Sequence, residues 1–312
     1  MRAFAVRSFG EAPGIHDLPI PAADGGILIR VRYAGVNPID YKLVGRLTTT
    51  SAFPFVVGVD FAGVVQRVPP GEPDLRAGDR VFGMARTRGA YAEYTAIAPG
   101  VQAEALARIP DGVTDEQAAA LPIAAITALG SVDMLDVSAR QRVVVMGATG
   151  GVGGYAVQMA RSRGAHVIAT VRGDVDGARR VGAHEVYDTT TGHFVEALSA
   201  SHPEGVDAVL DLVNDSDAIR GDAEILKPGG SLVSTLHAAD ERWFAKRHIT
   251  AHNISSTTNP LSSPQGLSDV VGMLADGTIT ARITSTIELD GAGQLLDKPR
   301  HAGLRGKAVI RL

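Results

Sequence analysis

Residues Gln141 to Arg172, QRVVVMGATGGVGGYAVQMARSRGAHVIATVR, decide the fold, because they read as strand, glycine-rich turn, helix and second strand without a break. The run Val143-Val144-Val145-Met146 is short, β-branched and followed by glycine, as expected of a parallel strand buried on both faces. Gly147, Gly150, Gly151 and Gly153 then open a segment in which Val152, Ala156, Val157 and Ala160 recur at helical spacing. Ala165 to Thr170 supplies the next strand. Glycines in such a turn permit tight backbone geometry and close approach of a pyrophosphate, whose charge is met by amide groups at the helix N-terminus. A glycine pattern alone is weak evidence, since many glycine-rich turns bind nothing. Here the flanking strands and the helix satisfy the contextual test for a dinucleotide-binding unit. Its cofactor turn is Gly147, Ala148, Thr149, Gly150, Gly151, Val152 and Gly153.

The choice between the two nicotinamide cofactors should be written at the end of the second strand. A unit specific for NAD wants an acidic residue there for the ribose hydroxyls, whereas this chain offers Thr170, Val171 and Arg172. A carboxylate would repel a 2′-phosphate, and Arg172 can pair with one, so NADPH is the expected cofactor. Asp174 is the contrary signal; it falls a little late, in the expected loop.

Composition agrees with an ordinary globular protein. A chain of 312 residues with 45% hydrophobic content usually divides into two domains. The net charge of −4 gives no reason to expect nucleic-acid binding, and no basic aromatic patch supports RNA. No apolar run reaches the length of a membrane helix, and MRAFAVRSFG alternates like a strand rather than a signal peptide, so the expected compartment is the cytoplasm. The absence of cysteine excludes disulfides and thiolate chemistry.

Upstream of the glycine turn, Ile27 to Tyr33, Phe61 to Val68, Arg80 to Phe82 and Ala92 to Ile97 read as short strands between glycine and proline turns. Their density suggests a partly open β-barrel. A helical stretch follows, capped by Thr114 or Asp115 and containing Ala118 to Leu121. Downstream, Glu185 to Tyr187, Val206 to Leu212 and Ile225 to Leu236 continue an α/β alternation, and the last 35 or so residues read as a helix and strands returning to the first domain. The expected class is α/β.

Eight segments in order, GVNPIDYK at Gly35, VVGVDFAGVV at Val56, AGDRVFG at Ala77, GAYAEY at Gly89, LPIAAITAL at Leu121, ATGGVG at Ala148, LKPGG at Leu226 and RGKAVI at Arg305, carry a family resemblance. Across nearly its full length the chain resembles the zinc-free quinone oxidoreductase group of the medium-chain dehydrogenase/reductase superfamily. The resemblance implies a GroES-like, partly open β-barrel domain from residues 1–118 and 258–312 and a Rossmann doubly wound parallel-sheet domain from residues 119–257. It also implies an active-site cleft between them and assembly as a homodimer or more.

Zinc alcohol dehydrogenases place a His-Glu pair in the segment aligned with Gly58-Val59-Asp60 and use cysteine ligands. This chain has Val59-Asp60 there, no cysteine, and nine scattered histidines without ligand spacing, so no metal site is expected. Without a Lewis acid, plain alcohol oxidation loses its main activation. Hydride addition from NADPH to a conjugated acceptor, a quinone or the β-carbon of an enone, is the natural chemistry. Three readings follow: an NADPH-dependent quinone reductase, a reductase of activated alkenes (2-alkenals, enones or a biosynthetic enoyl intermediate), and a non-catalytic NADPH-binding sensor.

The resemblance aligns Asn37 with an asparagine close to the nicotinamide, with Pro38 fixing the backbone. Asn37 can equally satisfy turn backbone groups. Tyr41 is a candidate hydroxyl donor to an oxyanion, and Lys42 a candidate to hold the ribose or polarise a carbonyl; both also fit a barrel surface. Asp60 is expected to pack through hydrogen bonds rather than act as an acid. The resemblance gives Thr127 a place at the nicotinamide end, although a threonine inside a helix can bond its own preceding carbonyl. Asp211 to Asn214 and Thr235 to Leu236 follow the fourth and fifth Rossmann strands, and carboxyl ends of strands bind ligands in open α/β sheets. Val213, Asn214, Thr235 and Leu236 complete the cofactor set with Thr170 and Arg172. Phe53, Phe55, Tyr91, Trp243 and Phe244 are candidates for the pocket wall, most of them required as core. Residues 237–264 carry the least regular pattern and are candidates for a pocket wall or dimer edge.

Overall fold

The computed structural model describes residues 1–23, 25–72, 74–85, 89–98, 105–256, 258–296 and 305–312. Two compact units divide the chain: Met1–Ala124, Leu261–Asp276 and Ala281–Leu312 form one, and Ala125–Pro260 with Gly277–Thr280 the other.

In chain order the first unit begins with β1 (Arg2–Val6), β2 (Gly14–Asp17), β3 (Ile27–Gly35), α1 (Pro38–Val44), β4 (Phe55–Val56) and β5 (Asp60–Arg67). It continues with β6 (Arg80–Met84), β7 (Tyr94–Ile97), β8 (Ala105–Arg108), α2 (Asp115–Ala119) and the start of α3 (Pro122–Met134). Thr114 caps α2, its hydroxyl accepting from the Gln117 amide at 3.1 Å, as the sequence suggested. The second unit holds β9 (Arg142–Met146), α4 (Gly151–Ser162), β10 (His166–Val171), α5 (Val175–Arg180), β11 (Glu185–Asp188), α6 (Phe194–Ser201) and β12 (Val206–Asp211). It closes with β13 (Leu226–Ser234), α7 (Glu241–Ala245) and β14 (Thr250–Asn253). The chain then returns to the first unit through α8 (Pro264–Ala275), β15 (Ile283–Glu288), α9 (Ala292–Leu296) and β16 (Lys307–Arg311).

The first unit carries a sheet in the order β15-β16-β3-β5-β6-β8, with β7 also pairing β3, and a smaller β2-β1-β4 sheet. β16 pairs antiparallel with β3, so the C-terminal segment completes the N-terminal sheet. Ile29, Phe61, Val65, Val81, Tyr91 and Ile310 form its fully buried core. Gly58, at φ +92°, lies flat against the Tyr91 ring, where any Cβ would collide; this close approach fixes the start of β5.

The second unit is a parallel sheet in the order β11-β10-β9-β12-β13-β14. Val143 to Val145 are buried, as the β-branched run requires, and the face of α4 containing Ala156, Val157 and Ala160 packs inward. β14 and α7 fall inside residues 237–264, where the sequence reading found no regular pattern. Thr250-Ala251-His252-Asn253 lacks an apolar run because β14 is an edge strand paired on one side alone. Among the described residues, no helix is long and apolar enough to cross a membrane.

Candidate functional site

In the second unit, the site is built where β9 turns into α4. Gly147 adopts φ +78°, and a Cβ there would press on Val213 Cγ1 at 2.7 Å. A Cβ on Gly153 would collide with the Gly147 carbonyl oxygen. Both positions therefore need glycine, one for its backbone angle and the other for close packing of helix on turn. Thr170, buried at the end of β10, holds this turn: its hydroxyl accepts from the Gly147 amide at 3.3 Å and its carbonyl from the Ala148 amide at 3.1 Å. Gly150 caps α4, and Gly151, Val152 and Gly153 form its first turn. Amides of that turn have no acceptor within the helix, which suits them to an anion.

The ends of β12 and β13 lie beside this turn. Asp211 accepts from the Val213 and Asn214 amides at 2.8 and 2.9 Å, and the Thr235 amide donates to the Asp211 carbonyl at 3.1 Å. Val213 and Leu236 are 54% and 44% exposed, two of the few large apolar side chains left open to solvent. Exposed apolar side chains at the carboxyl ends of parallel strands suit a planar ring. Behind them Asp222, on a 3₁₀ turn at Ala218–Glu224, is buried beside Asp211 and accepts from Asn214 Nδ2 at 3.3 Å. Burial first, and the neighbouring Asp211 charge second, push the Asp222 carboxyl up to about 9. Asp222 therefore carries a proton at neutral pH, a role the sequence reading did not assign.

Arg172 is exposed just beyond β10. Asp174, the contrary signal for cofactor choice, is buried as the N-cap of α5 and accepts from the Gly177 amide at 3.1 Å. Asp188, at the end of β11, accepts from the Gly173 and Thr190 amides at 3.1 and 3.0 Å. Thr127 lies buried in α3; its carbonyl takes the Ser131 hydroxyl at 2.7 Å, and Asn259 Nδ2 donates to the adjacent Ile126 carbonyl at 2.8 Å.

The three candidates on GVNPIDYK fare differently in the first unit. Asn37 is buried and fully engaged: Nδ2 donates to Asp60 Oδ2 at 2.7 Å, and Oδ1 accepts from Lys307 Nζ at 2.6 Å. Tyr41 is half-buried and Lys42 exposed on α1. Between them, Asp40 is wholly buried, and a single oxygen, Oδ2, accepts from both the Asn37 amide at 2.8 Å and the Tyr91 hydroxyl at 2.7 Å. Lys307 Nζ also donates to the Val36 carbonyl at 2.9 Å, and Asp60 Oδ2 takes the Ile123 amide at 3.2 Å. Asn37, Asp40, Asp60, Tyr91 and Lys307 thus form one buried polar cluster, of which the sequence reading chose Asn37 as catalytic and Tyr91 as a candidate for the pocket wall. Burial dominates its electrostatics. It raises the Asp40 carboxyl to about 7 against the hydrogen bonds from Tyr91 and Asn37, raises the Tyr91 phenol well above its ordinary value, and lowers the Lys307 ammonium against Asp60 and Asp40. Of the candidates for a pocket wall, Tyr91 is a fully buried core residue, whereas Trp243 and Phe244 line a cavity in the second unit. Among the described residues, no three histidine or carboxylate side chains are grouped to hold a metal ion.

Comparison with known proteins places both units. Residues 23–111 match the alcohol dehydrogenase GroES-like domain, and residues 151–276 match the zinc-binding dehydrogenase family model. The quinone oxidoreductase of Rattus norvegicus is 32% identical over 246 residues, covering 75% of this chain and 72% of that protein. A mycocerosic acid synthase-like polyketide synthase of Mycobacterium tuberculosis is 35% identical over 219 residues, 69% of this chain but only 10% of that much longer protein. The quinone oxidoreductase structure from Coxiella burnetii superposes with a TM-score of 0.83 at 27% identity, covering 100% of this chain and 99% of that one. A GroES-like domain, a Rossmann-like parallel sheet and this degree of identity agree: the chain belongs to the quinone oxidoreductase group of the medium-chain dehydrogenase/reductase superfamily.

Proposed function

We propose that the protein is a zinc-independent, NADPH-dependent oxidoreductase that reduces quinones. The observation that carries the cofactor reading is the cradle at Gly147 and Gly153, where a side chain would meet Val213 or the turn's own carbonyl and where Thr170 holds the backbone. These residues fit a dinucleotide. Gly150 to Gly153 would bind the pyrophosphate with backbone amides, Arg172 the 2′-phosphate, and Val213, Asn214, Thr235, Leu236 and Thr127 the nicotinamide end. Asp174, the contrary signal in the sequence, directs a carboxylate oxygen to the Gly177 amide as the N-cap of α5, an engagement that supports the reading with a 2′-phosphate. When bound, NADPH supplies the hydride. The protein's share is to orient the acceptor, exclude water and place hydrogen-bond donors at the oxygen where negative charge develops. Tyr41 and Lys42 are the candidate donors, while Asn37 is held in one orientation by Asp60 and Lys307.

The donor set supports chemistry without zinc. Val59 is buried and apolar, Asp60 accepts from Asn37 and Ile123, and the chain has no cysteine. Likeness to a polyketide synthase segment favours a second reading, NADPH-dependent reduction of an activated alkene such as a 2-alkenal, enone or enoyl intermediate. Parallel assays with 1,4-benzoquinone, 9,10-phenanthrenequinone and a 2-alkenal, with product identification and a chelator control, separate the two. Faster quinone turnover that chelator leaves intact is expected. Preference for the alkenal, giving a saturated carbonyl product, transfers the assignment to alkene reduction. NADPH binding without turnover of any acceptor contradicts both and leaves the sensor.

A further inference from the structure

The connections that follow β12 and β13 frame a half-open cavity of about 290 Å³, lined by Ser216, Ile219, Arg220, His237, Ala238 and Ala239 together with Asp240, Trp243 and Phe244. Its size is just below the range for drug-sized ligands and suits a small molecule. We propose that this cavity binds a small planar carboxylate, with Arg220 as the partner of the anionic group and Trp243 facing the flat body.

The floor is apolar and rigid, with Ile219 and Phe244 fully buried. The loop carrying Ala238 and Ala239 is fixed from beneath: Asn253 donates to the Ala239 carbonyl at 2.9 Å and accepts its amide at 3.1 Å, while Ser234 Oγ accepts the Ala238 amide at 3.2 Å. Trp243 is held by the Arg247 guanidinium, which stacks 3.6 Å from the ring centre. A wall built this way costs little to order when a ligand arrives.

The rim is polar and uncommitted. Among the described residues, the Ser216 hydroxyl and the His237 imidazole make no hydrogen bond or ion pair, and Arg220 makes only a 5.6 Å approach to the Trp243 ring. His237 holds a left-handed backbone at φ +56°, a conformation histidine adopts more readily than most residues. The one acidic side chain in the lining, Asp240, is turned to its own helix, where Oδ1 accepts the Arg242 and Trp243 amides at 3.1 Å each. Guanidinium, imidazole and hydroxyl donors over an apolar floor select an acceptor-rich anion with a flat, unsaturated body. Apart from Trp243 and Phe244, which the sequence offered for a pocket wall, the lining residues have no part in the hydride-transfer reading, and titration with NADP⁺ bound tests the cavity separately.

Trp243 is the only tryptophan in the chain, so its fluorescence reports this cavity directly. Benzoate and cinnamate would be titrated into the intact protein with and without saturating NADP⁺, with benzamide and cinnamamide as uncharged isosteres. The expected result is a saturable change with the carboxylates, persisting with NADP⁺ bound, and about tenfold or more weaker with the amides and in Arg220→Ala. Arg220 is exposed, so its replacement leaves the fold in place; circular dichroism checks that. No saturable signal with either carboxylate in the millimolar range overturns the proposal. Equal binding of the isosteres, or unchanged affinity in Arg220→Ala, removes the anion recognition and overturns it too. Loss of the signal with NADP⁺ bound makes the cavity part of the cofactor seat and overturns it as a separate site.

Discussion

Asp40 offers a sharp test of how burial sets the chemistry of the first unit. Its carboxyl is raised from 3.8 to about 7, with desolvation as the leading cause. A group that holds its proton more tightly when folded contributes stability that is fully present below the unfolded value near 4. That contribution is lost as pH rises through the folded value near 7. With about 1.4 kcal/mol per pH unit, the loss between pH 5 and pH 8 comes to about 2.5 kcal/mol. Asp40→Asn removes the titration and retains the contacts, because one oxygen accepts from both Asn37 and Tyr91 and an amide oxygen can take its place. The amide nitrogen would occupy the position of Oδ1, which has no partner, and costs about 1–3 kcal/mol independently of pH. Tyr91 stays neutral throughout this window, and the lowered Lys307 is supported by Asp60 ahead of Asp40. Urea unfolding followed by circular dichroism, with Trp243 fluorescence as the reading from the second unit, would be run on both proteins from pH 5 to 8. The stability of the natural protein relative to the variant should fall by about 2.5 kcal/mol across that range. Parallel curves would mean that Asp40 is ionised throughout and that burial does not govern the cluster.

Three further substitutions probe the cofactor and donor assignments. Arg172→Ala should raise the KM for NADPH by about 10–100-fold with little effect on NADH, since a charge-assisted phosphate contact is lost; equal effects on both cofactors would remove Arg172 from phosphate recognition. Gly153→Ala forces a methyl group against the Gly147 carbonyl and should abolish NADPH binding, read by calorimetry, with a lower Tm. Retained affinity would mean that the turn has no cradle role. Tyr41→Phe should lower kcat about 100-fold with KM for NADPH unchanged if the hydroxyl donates to the developing oxyanion. An unchanged kcat leaves protonation to solvent.

The second unit was the more legible in sequence because its signals are local. A β-branched run, a glycine turn and a helix periodicity lie within 32 consecutive residues, and each maps onto β9, α4 or β10. Thr170, chosen as a ligand residue, also proved to be the side chain that braces the turn. The buried cluster of the first unit was not legible in the same way. Asp40 stands beside Tyr41 and Lys42 in GVNPIDYK, and nothing in that octapeptide says which of the three faces inward. Lys307 lies 270 positions from Asn37, and only the pairing of β16 with β3 brings it there. Asp222 is hidden for the same reason, since its proton depends first on burial in the folded unit and then on Asp211, a neighbour supplied by β12. Long-range pairing, rather than local pattern, creates those environments.

The most direct test is an anaerobic single-turnover experiment with chelator-treated protein, NADPH and 9,10-phenanthrenequinone, following absorbance at the nicotinamide band and quantifying quinol. The expected result is one quinol formed per NADPH oxidised, with NADH reacting much more slowly under the same conditions. Bound NADPH that stays reduced in the presence of quinone, or equal rates with NADH, would contradict the assignment as a zinc-independent NADPH:quinone oxidoreductase.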